Sequence, residues 1–158
     1  VVMSSPMSDP YVDGEYRPIS LQYGPYDAPT AREQSLAGER SYRGKAAQVA
    51  NSGDLVNLRT ARAAMGDKPV IVLLQLDTPV VMAEVEPLAD AVYAHFGVSQ
   101  RAQLDVISGA ATPGGRLPYP MPNDMASIEA HNEDVFADYE AYTDTRGNTY
   151  AYGFSALR

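Results

Sequence analysis

The run Val70–Leu76 is apolar, rich in β-branched residues, and broken at its end by Asp77-Thr78-Pro79. Such a run predicts a strand buried on both faces, as in a parallel sheet. The break falls at the strand's C-terminal end, the edge where open α/β sheets place ligand loops. Val80–Val85 is apolar again and fits either a short strand or the start of a helix, with Pro87 ending it. Ala91–Phe96 predicts the next strand. Ahead of these runs, Leu55, Leu58, Ala61 or Arg62, and Met65 recur at helical spacing. Ser52 or Asp54 caps that helix, Gly66 stands where a C′ glycine belongs, and Arg59 and Arg62 face water. After the second strand, Gly97 and Ser99 open another helix, with Ser99 as N-cap. Leu104, Val106 and Ile107 are its inward positions and Gly109 closes it. Strand and helix in alternation predict an open α/β sheet.

The flanks read differently. Val1-Val2-Met3 is the tail of an apolar strand. Residues 4–30 interleave Pro6, Pro10, Pro18, Pro25 and Pro29 with Tyr11, Tyr16, Tyr23 and Tyr26. Proline removes amide donors and blocks helix, so this is a long loop, and long loops in compact domains are often functional. Its tyrosines either stack on a sugar ring or pack the loop onto the domain body, since tyrosine is amphipathic. Residues 31–50 are polar and basic (Arg32, Arg40, Arg43, Lys45), with room for one helical turn around Ala31–Ala37 ended by Gly38. Residues 112–125, with their prolines and Gly114-Gly115, predict an extended crossover; residues 126–148 are polar and acidic; Tyr150–Leu157 returns as a short strand. The chain thus reads as one domain over 1–158: a Tyr/Pro-rich loop region at 1–50, then a βαβα core and C-terminal extension at 51–158.

Composition narrows the function. Apolar residues make up 45% of the 158, enough for a core. Twelve basic against twenty acidic residues give a net charge of −8, which disfavours nucleic acid as a partner. There is no cysteine, hence no disulfide or thiolate metal site. No apolar run approaches the roughly 20 residues of a membrane span. The start at Val1, without initiator methionine or signal peptide, reads as a fragment or processed product. No Gly-rich phosphate loop is present, which disfavours a nucleotide- or flavin-binding domain.

Four pieces in order carry a resemblance: the Pro69-Val70-Ile71-Val72 strand, the Asp90-Ala91-Val92 strand with its helix (Ala102, Leu104, Asp105, Val106, Ile107, Gly109), Pro113-Gly114-Gly115-Arg116-Leu117-Pro118, and Tyr152-Gly153-Phe154-Ser155-Ala156-Leu157. Over most of residues 54–158 they resemble the C-terminal half of glycoside hydrolase family three, which includes many β-glucosidases. Gly97-Val98-Ser99-Gln100-Arg101 departs from the Gly/Glu-rich loop common there. The resemblance implies a flavodoxin-like three-layer α/β/α sandwich with a mainly parallel sheet, incomplete at its N-terminus. It also implies a retaining exo-β-glycosidase parent whose nucleophilic aspartate lies on a preceding barrel. A barrel alone needs roughly 250 residues, so this chain by itself is expected to be inactive. No cofactor or metal is implied. The substrate implied is a β-linked oligosaccharide or β-glucoside. The implied partner is the missing barrel, or another copy covering an open sheet edge. Periplasmic or secreted localisation follows family habit.

In the family the general acid/base is usually a glutamate on a loop after a Val-rich strand. Here Asp13-Gly14-Glu15-Tyr16-Arg17 follows Val1-Val2-Met3, which makes Glu15 the candidate and Arg17 its positioning neighbour. Asp9, Asp13 and Asp27 are rivals on the same loop. Tyr11, Tyr16 and Tyr23, with Arg17, are the candidate substrate-binding residues. An isolated Glu15 is otherwise an ordinary solvated carboxylate. His95 reads as a hydrogen-bonded core residue, His131 as exposed, Arg116 as fixing its turn through backbone carbonyls, and the carboxylates at 129–144 as a solvated face. Ser4, Ser5 and Ser155 lack a nucleophile-elbow context. The alternative function is a free-standing, non-enzymatic module that binds sugar or mediates assembly.

Overall fold

A computed structural model describes residues 1–29, 44–131, 135 and 138–156. The turn expected around Ala31–Ala37 lies outside the described residues. Strands β1 (Val2–Ser4), β4 (Ile71–Gln75) and β5 (Ala91–His95) form a parallel sheet in the order β1-β4-β5. Between β1 and β4 come a two-residue hairpin, β2 (Tyr11–Val12) and β3 (Glu15–Tyr16), and helix α1 (Gly53–Met65). Helices α2 (Gln100–Ile107) and α3 (Met125–Ala130) follow β5. The α/β class and parallel pairing agree with the sequence reading.

Register places Met3 beside Leu74, Val72 beside Val92 and Gln75 beside His95. Register partners share a face of the pleat. Met3, Val72, Leu74 and Leu76 therefore form the inner side of the core, and Leu55 and Leu58 of α1 complete it. Ile71, Leu73 and Gln75 on the opposite face are only half-buried, and Val2 in the same row is exposed. The expectation of a strand buried on both faces is thus met on one face, because cover among the described residues is denser there.

Several predicted details change. Ser52 precedes α1 with helical dihedrals and makes no side-chain cap bond. Asp54 and Asn51 instead tie the helix start to β1. Asp54 Oδ2 accepts from Ser4 N at 3.3 Å, and Asn51 Nδ2 donates to Ser4 O and Ser5 O at 3.1 Å each. Arg62 is not turned simply to water. Its guanidinium donates to Asp90 at 2.8 Å and to the carbonyls of Gly66 and Lys68, and Asp90 also accepts from Val70 N at 2.7 Å. The Val70 amide, then Arg62, hold the Asp90 carboxyl below its ordinary range. Met65, expected inward, is exposed.

The ambiguous stretch at 80–85 is neither strand nor α-helix. It enters two 3₁₀ turns, Met82–Glu84 and Glu86–Leu88, that bury Val80, Val81, Met82 and Val85. Pro87 sits inside the second turn instead of ending the first segment, at an early helical position where its missing amide is tolerated. In α2, Ser99 Oγ caps Ala102 N at 3.3 Å as expected. No residue of α2 is buried, and Leu104, expected inward, is exposed.

Residues 150–156 form no strand. They tie into the 117–121 segment through Met121 N to Tyr150 O at 2.9 Å and, at Leu117, through Leu117 N to Phe154 O at 3.0 Å and Gly153 N to Leu117 O at 2.8 Å. Aromatic contacts Tyr142–Tyr150 and Tyr150–Phe154 fill that seam. Burial, then the bond from Tyr142 Oη to Glu86, pushes the Tyr142 phenol up to about 12. The acidic stretch also hides α3, capped by Asp124 accepting from Ser127 N at 2.7 Å.

Candidate functional site

The loop that leaves β1 at its C-terminal end is shaped by local bonds. Ser5 is buried, and its Oγ accepts from Asp77 N at 3.1 Å, binding the ends of β1 and β4 together. Ser8 Oγ accepts from Ser20 N at 2.8 Å and donates to Ser20 O at 3.0 Å, closing the loop's base. Within that clasp lies the β2–β3 hairpin. Asp13 and Gly14 sit at its tip with φ of 54° and 82°. Two successive positive φ values are what a type I′ turn requires, and Asp-Gly is a preferred pair there.

The hairpin pairs Tyr11 with Tyr16 and Val12 with Glu15. The Tyr11 and Tyr16 rings meet edge-to-face at 5.0 Å. The Glu15 carboxylate, its side chain 55% exposed, lies 3.4 Å from Arg17 Nη2 and 3.8 Å from Lys45 Nζ. Arg17 N donates to Pro10 O at 2.9 Å, while its Nε is shielded and has no partner among the described residues. Four of the five candidates, Glu15, Tyr11, Tyr16 and Arg17, therefore cluster on one hairpin. Lys45 joins them from thirty residues away; no local spacing in the sequence points to it.

Tyr23 does not belong to this group. Its ring is 3% exposed, packs in the main core, and donates through Oη to Ser4 O at 2.5 Å. Burial chiefly, then Asp54 and Glu84, raises its phenol. Packing, the second reading of the tyrosines, describes Tyr23. Among the rivals, Asp9 accepts from Tyr11 N at 2.9 Å and Asp13 forms the turn. Asp27 lies in a bridge to Ala46.

The histidines correct two expectations. His95 is a half-buried strand-end residue: Nδ1 accepts from Gly97 N at 3.3 Å, and Nε2 is shielded without a partner among the described residues. His131, expected to be exposed, is half-buried between Asp138 and the Tyr139 ring. Arg116 does hold its turn, donating to Gly153 O at 3.0 Å. No helix among the described residues is long and apolar enough to cross a membrane.

The parallel sheet with this loop at its C-terminal edge sets the frame for comparison with known proteins. A family model described as "Glycosyl hydrolase family 3 C-terminal domain" matches residues 28–156. The chain belongs to that family. Among curated relatives, "Beta-glucosidase C" of Emericella nidulans is 43% identical over 72 residues, 46% of this chain and 12% of the relative. "Probable beta-glucosidase C" of Aspergillus flavus is 38% identical over 85 residues, 54% of this chain and 12% of the relative. "Periplasmic beta-glucosidase/beta-xylosidase" of Dickeya chrysanthemi is 25% identical over 111 residues, 70% of this chain and 16% of the relative. The matched part of this family member thus spans well under a fifth of each relative's length. No solved structure matches. The family match begins at residue 28, beyond the hairpin, so the grouping of Glu15 with its neighbours rests on geometry alone.

Proposed function

We propose that this chain is the C-terminal part of a retaining, exo-acting β-glycosidase that removes terminal β-linked sugars from oligosaccharides. Family membership and the β-glucosidase names of its relatives support the reaction class. The observation that carries the residue assignment is the hairpin. It gathers one carboxylate, two cations and two aromatic rings at an exposed place beyond the C-terminal end of β1. Glu15 is the general acid/base, Arg17 and Lys45 orient it, and Tyr11 and Tyr16 line the sugar. A retaining mechanism needs a second carboxylate as nucleophile, supplied by a barrel domain upstream in the parent. That domain would also exclude water from Glu15, which is well exposed in the chain as it stands. β1 pairs only with β4 among the described residues, so its other edge is open for the parent's remaining part or a second copy. A periplasmic or secreted parent is in keeping with the Dickeya relative's name.

Hydrolysis of an aryl-β-glucoside tests the assignment. The parent carrying this chain is expected to be active, Glu15→Gln to lose at least about a hundredfold in kcat/KM, within the range a general acid/base contributes, and azide to restore turnover. A Glu15→Gln parent with full activity overturns the role of Glu15. The second reading, a non-enzymatic sugar-binding module, is favoured by the exposed Tyr11 ring; it predicts sugar binding with no hydrolysis in any longer form.

A further inference from the structure

The tip of the β2–β3 hairpin carries backbone chemistry of its own. Asp13 is the one aspartate in the chain followed by glycine, and no asparagine is. In an Asp-Gly pair the glycine nitrogen can attack the aspartate side-chain carbonyl carbon. The ring that closes has five members, and no side chain shields the nitrogen. The structure supplies the other conditions. Asp13 and Gly14 are both exposed. Among the described residues, neither the Asp13 carboxylate nor the Gly14 amide has a hydrogen-bond partner. A Cβ on Gly14 would meet nothing within 4 Å, so the space around the tip is open. Ring closure also requires Asp13 to rotate out of its turn conformation. Its φ of 54° is uncommon outside glycine, and only two residue pairs close the hairpin beneath it. Local opening there disturbs no core contact.

Other aspartates lack one condition or another. Asp9, on the same loop, precedes Pro10, which has no amide hydrogen to give up, and its carboxylate accepts from Tyr11 N at 2.9 Å. Backbone amides hold the carboxylates of Asp124 (Ser127 N) and Asp144 (Arg146 N and Asn148 N).

We propose that Asp13-Gly14 is a site of spontaneous isomerisation, and that the isoaspartate formed there opens the hairpin. The neutral Asp13 carboxyl reacts. Gly14 N bonds to Asp13 Cγ, the Cγ–OH bond breaks, and the hydroxyl leaves with the amide hydrogen as water. Water then adds back to the cyclic imide. Cleavage of the N–Cγ bond restores aspartate. Cleavage between the nitrogen and the Asp13 main-chain carbonyl gives isoaspartate, whose backbone runs through Cβ and Cγ. Nothing is oxidised or reduced, and the water released is the water consumed. The product keeps its mass and its carboxylate but has one more backbone atom in the turn. Loop length and turn type fix the register of a two-residue hairpin, so the added atom breaks it. Tyr11 then parts from Tyr16, and Glu15 from Arg17 and Lys45. Isomerisation needs no sugar and no partner, and stands apart from the glycosidase reading.

The test ages the 158-residue chain in warm neutral buffer and digests it with endoproteinase Asp-N, which cuts before aspartate and not before isoaspartate. Fragment 13–26 should give way with time to an uncut 9–26 of unmodified mass, while the cut before Asp9 persists. A free peptide of residues 9–20, aged alongside, should convert at a similar rate. Conversion of the peptide with an unchanged folded chain overturns the proposal. Asp13→Asn keeps a preferred turn pair and closes the same ring with loss of ammonia. It should convert faster, and an Asp13→Asn chain that stays unconverted also overturns the proposal. The converted chain, separated by chromatography, should lose the nuclear Overhauser contact between the Tyr11 and Tyr16 rings. Persistence of that contact defeats the opening of the hairpin.

Discussion

Strand β4 and the β2–β3 hairpin are held in opposite ways. β4 has a strand on either side and, on one face, a row of side chains shut away from water, with Leu74 only 1% exposed. The hairpin pairs two residues with two, and a turn, a serine clasp, the Tyr11–Tyr16 ring contact, the bonds Arg17 N to Pro10 O and Tyr11 N to Asp9, and the ion pairs of the exposed Glu15 are among the ties that hold it. The sheet is a scaffold that many contacts fix at once. The hairpin presents chemistry on few local bonds, so its chemical environment depends on what packs over it. The largest expected effect tests this contrast. Leu74→Ala should cost about 2–5 kcal/mol, the range for emptying a packed site. Glu15→Gln, on an exposed side chain, should stay within about 0.5 kcal/mol. Urea denaturation of the two variants measures both, and equal costs would break the comparison.

The loop that carries the hairpin is tied down further along its length at Glu84, and the next effect in size is found there. Its carboxylate leaves the 3₁₀ turn to accept from Tyr23 N at 2.6 Å and Gly24 N at 3.0 Å. A Cβ on Gly24 would stand 2.6 Å from Glu84 Oε1, closer than real contacts allow. Gly24→Ala should push the carboxylate away and weaken both bonds. The expected cost is about 1–3 kcal/mol, that of leaving a buried polar group short of a partner. Thermal or urea unfolding checks it. Near-neutrality would mean that the Glu84 side chain re-seats, and that the loop is less firmly tied to the scaffold than Tyr23 implies.

This difference also decides what could be read from the residues alone. The Val70–Leu76 run, the Leu55/Leu58 spacing, Gly66 and the Ser99 cap were legible because each is a local rule with a local cause. Ser52 failed as a cap because a long-range pair, Asn51 and Asp54 to β1, competes for the same helix start. Leu104 failed because periodicity says which residues share a face, not whether anything covers that face. In the site, the resemblance singles out Glu15, while the Asp13-Gly14 turn beneath it reads only as part of a long loop. Nothing local singles out Lys45, since only the fold brings it to Glu15. Tyr23 shows the same limit from the other side. Four tyrosines among prolines look alike in sequence, and only burial separates a core anchor from an exposed ring.

The smallest effect is the sharpest probe of the hairpin itself. Gly14 has φ of 82°, and a Cβ there would meet nothing within 4 Å. Gly14→Ala therefore adds backbone strain without a clash, disfavouring the closed turn locally by about 1 kcal/mol through the left-handed conformation alone. In a two-residue turn that strain is relieved by opening the turn, which separates Tyr11 from Tyr16 and frees Glu15 from Arg17. Global unfolding should barely register it, because the scaffold does not depend on the hairpin. Hydrolysis by the parent should fall by more than the stability change suggests, since a displaced carboxylate loses its alignment. If Gly14→Ala leaves kcat/KM unchanged while Glu15→Gln abolishes it, the turn is not what positions the carboxylate, and Arg17 and Lys45 must hold it without the hairpin's register.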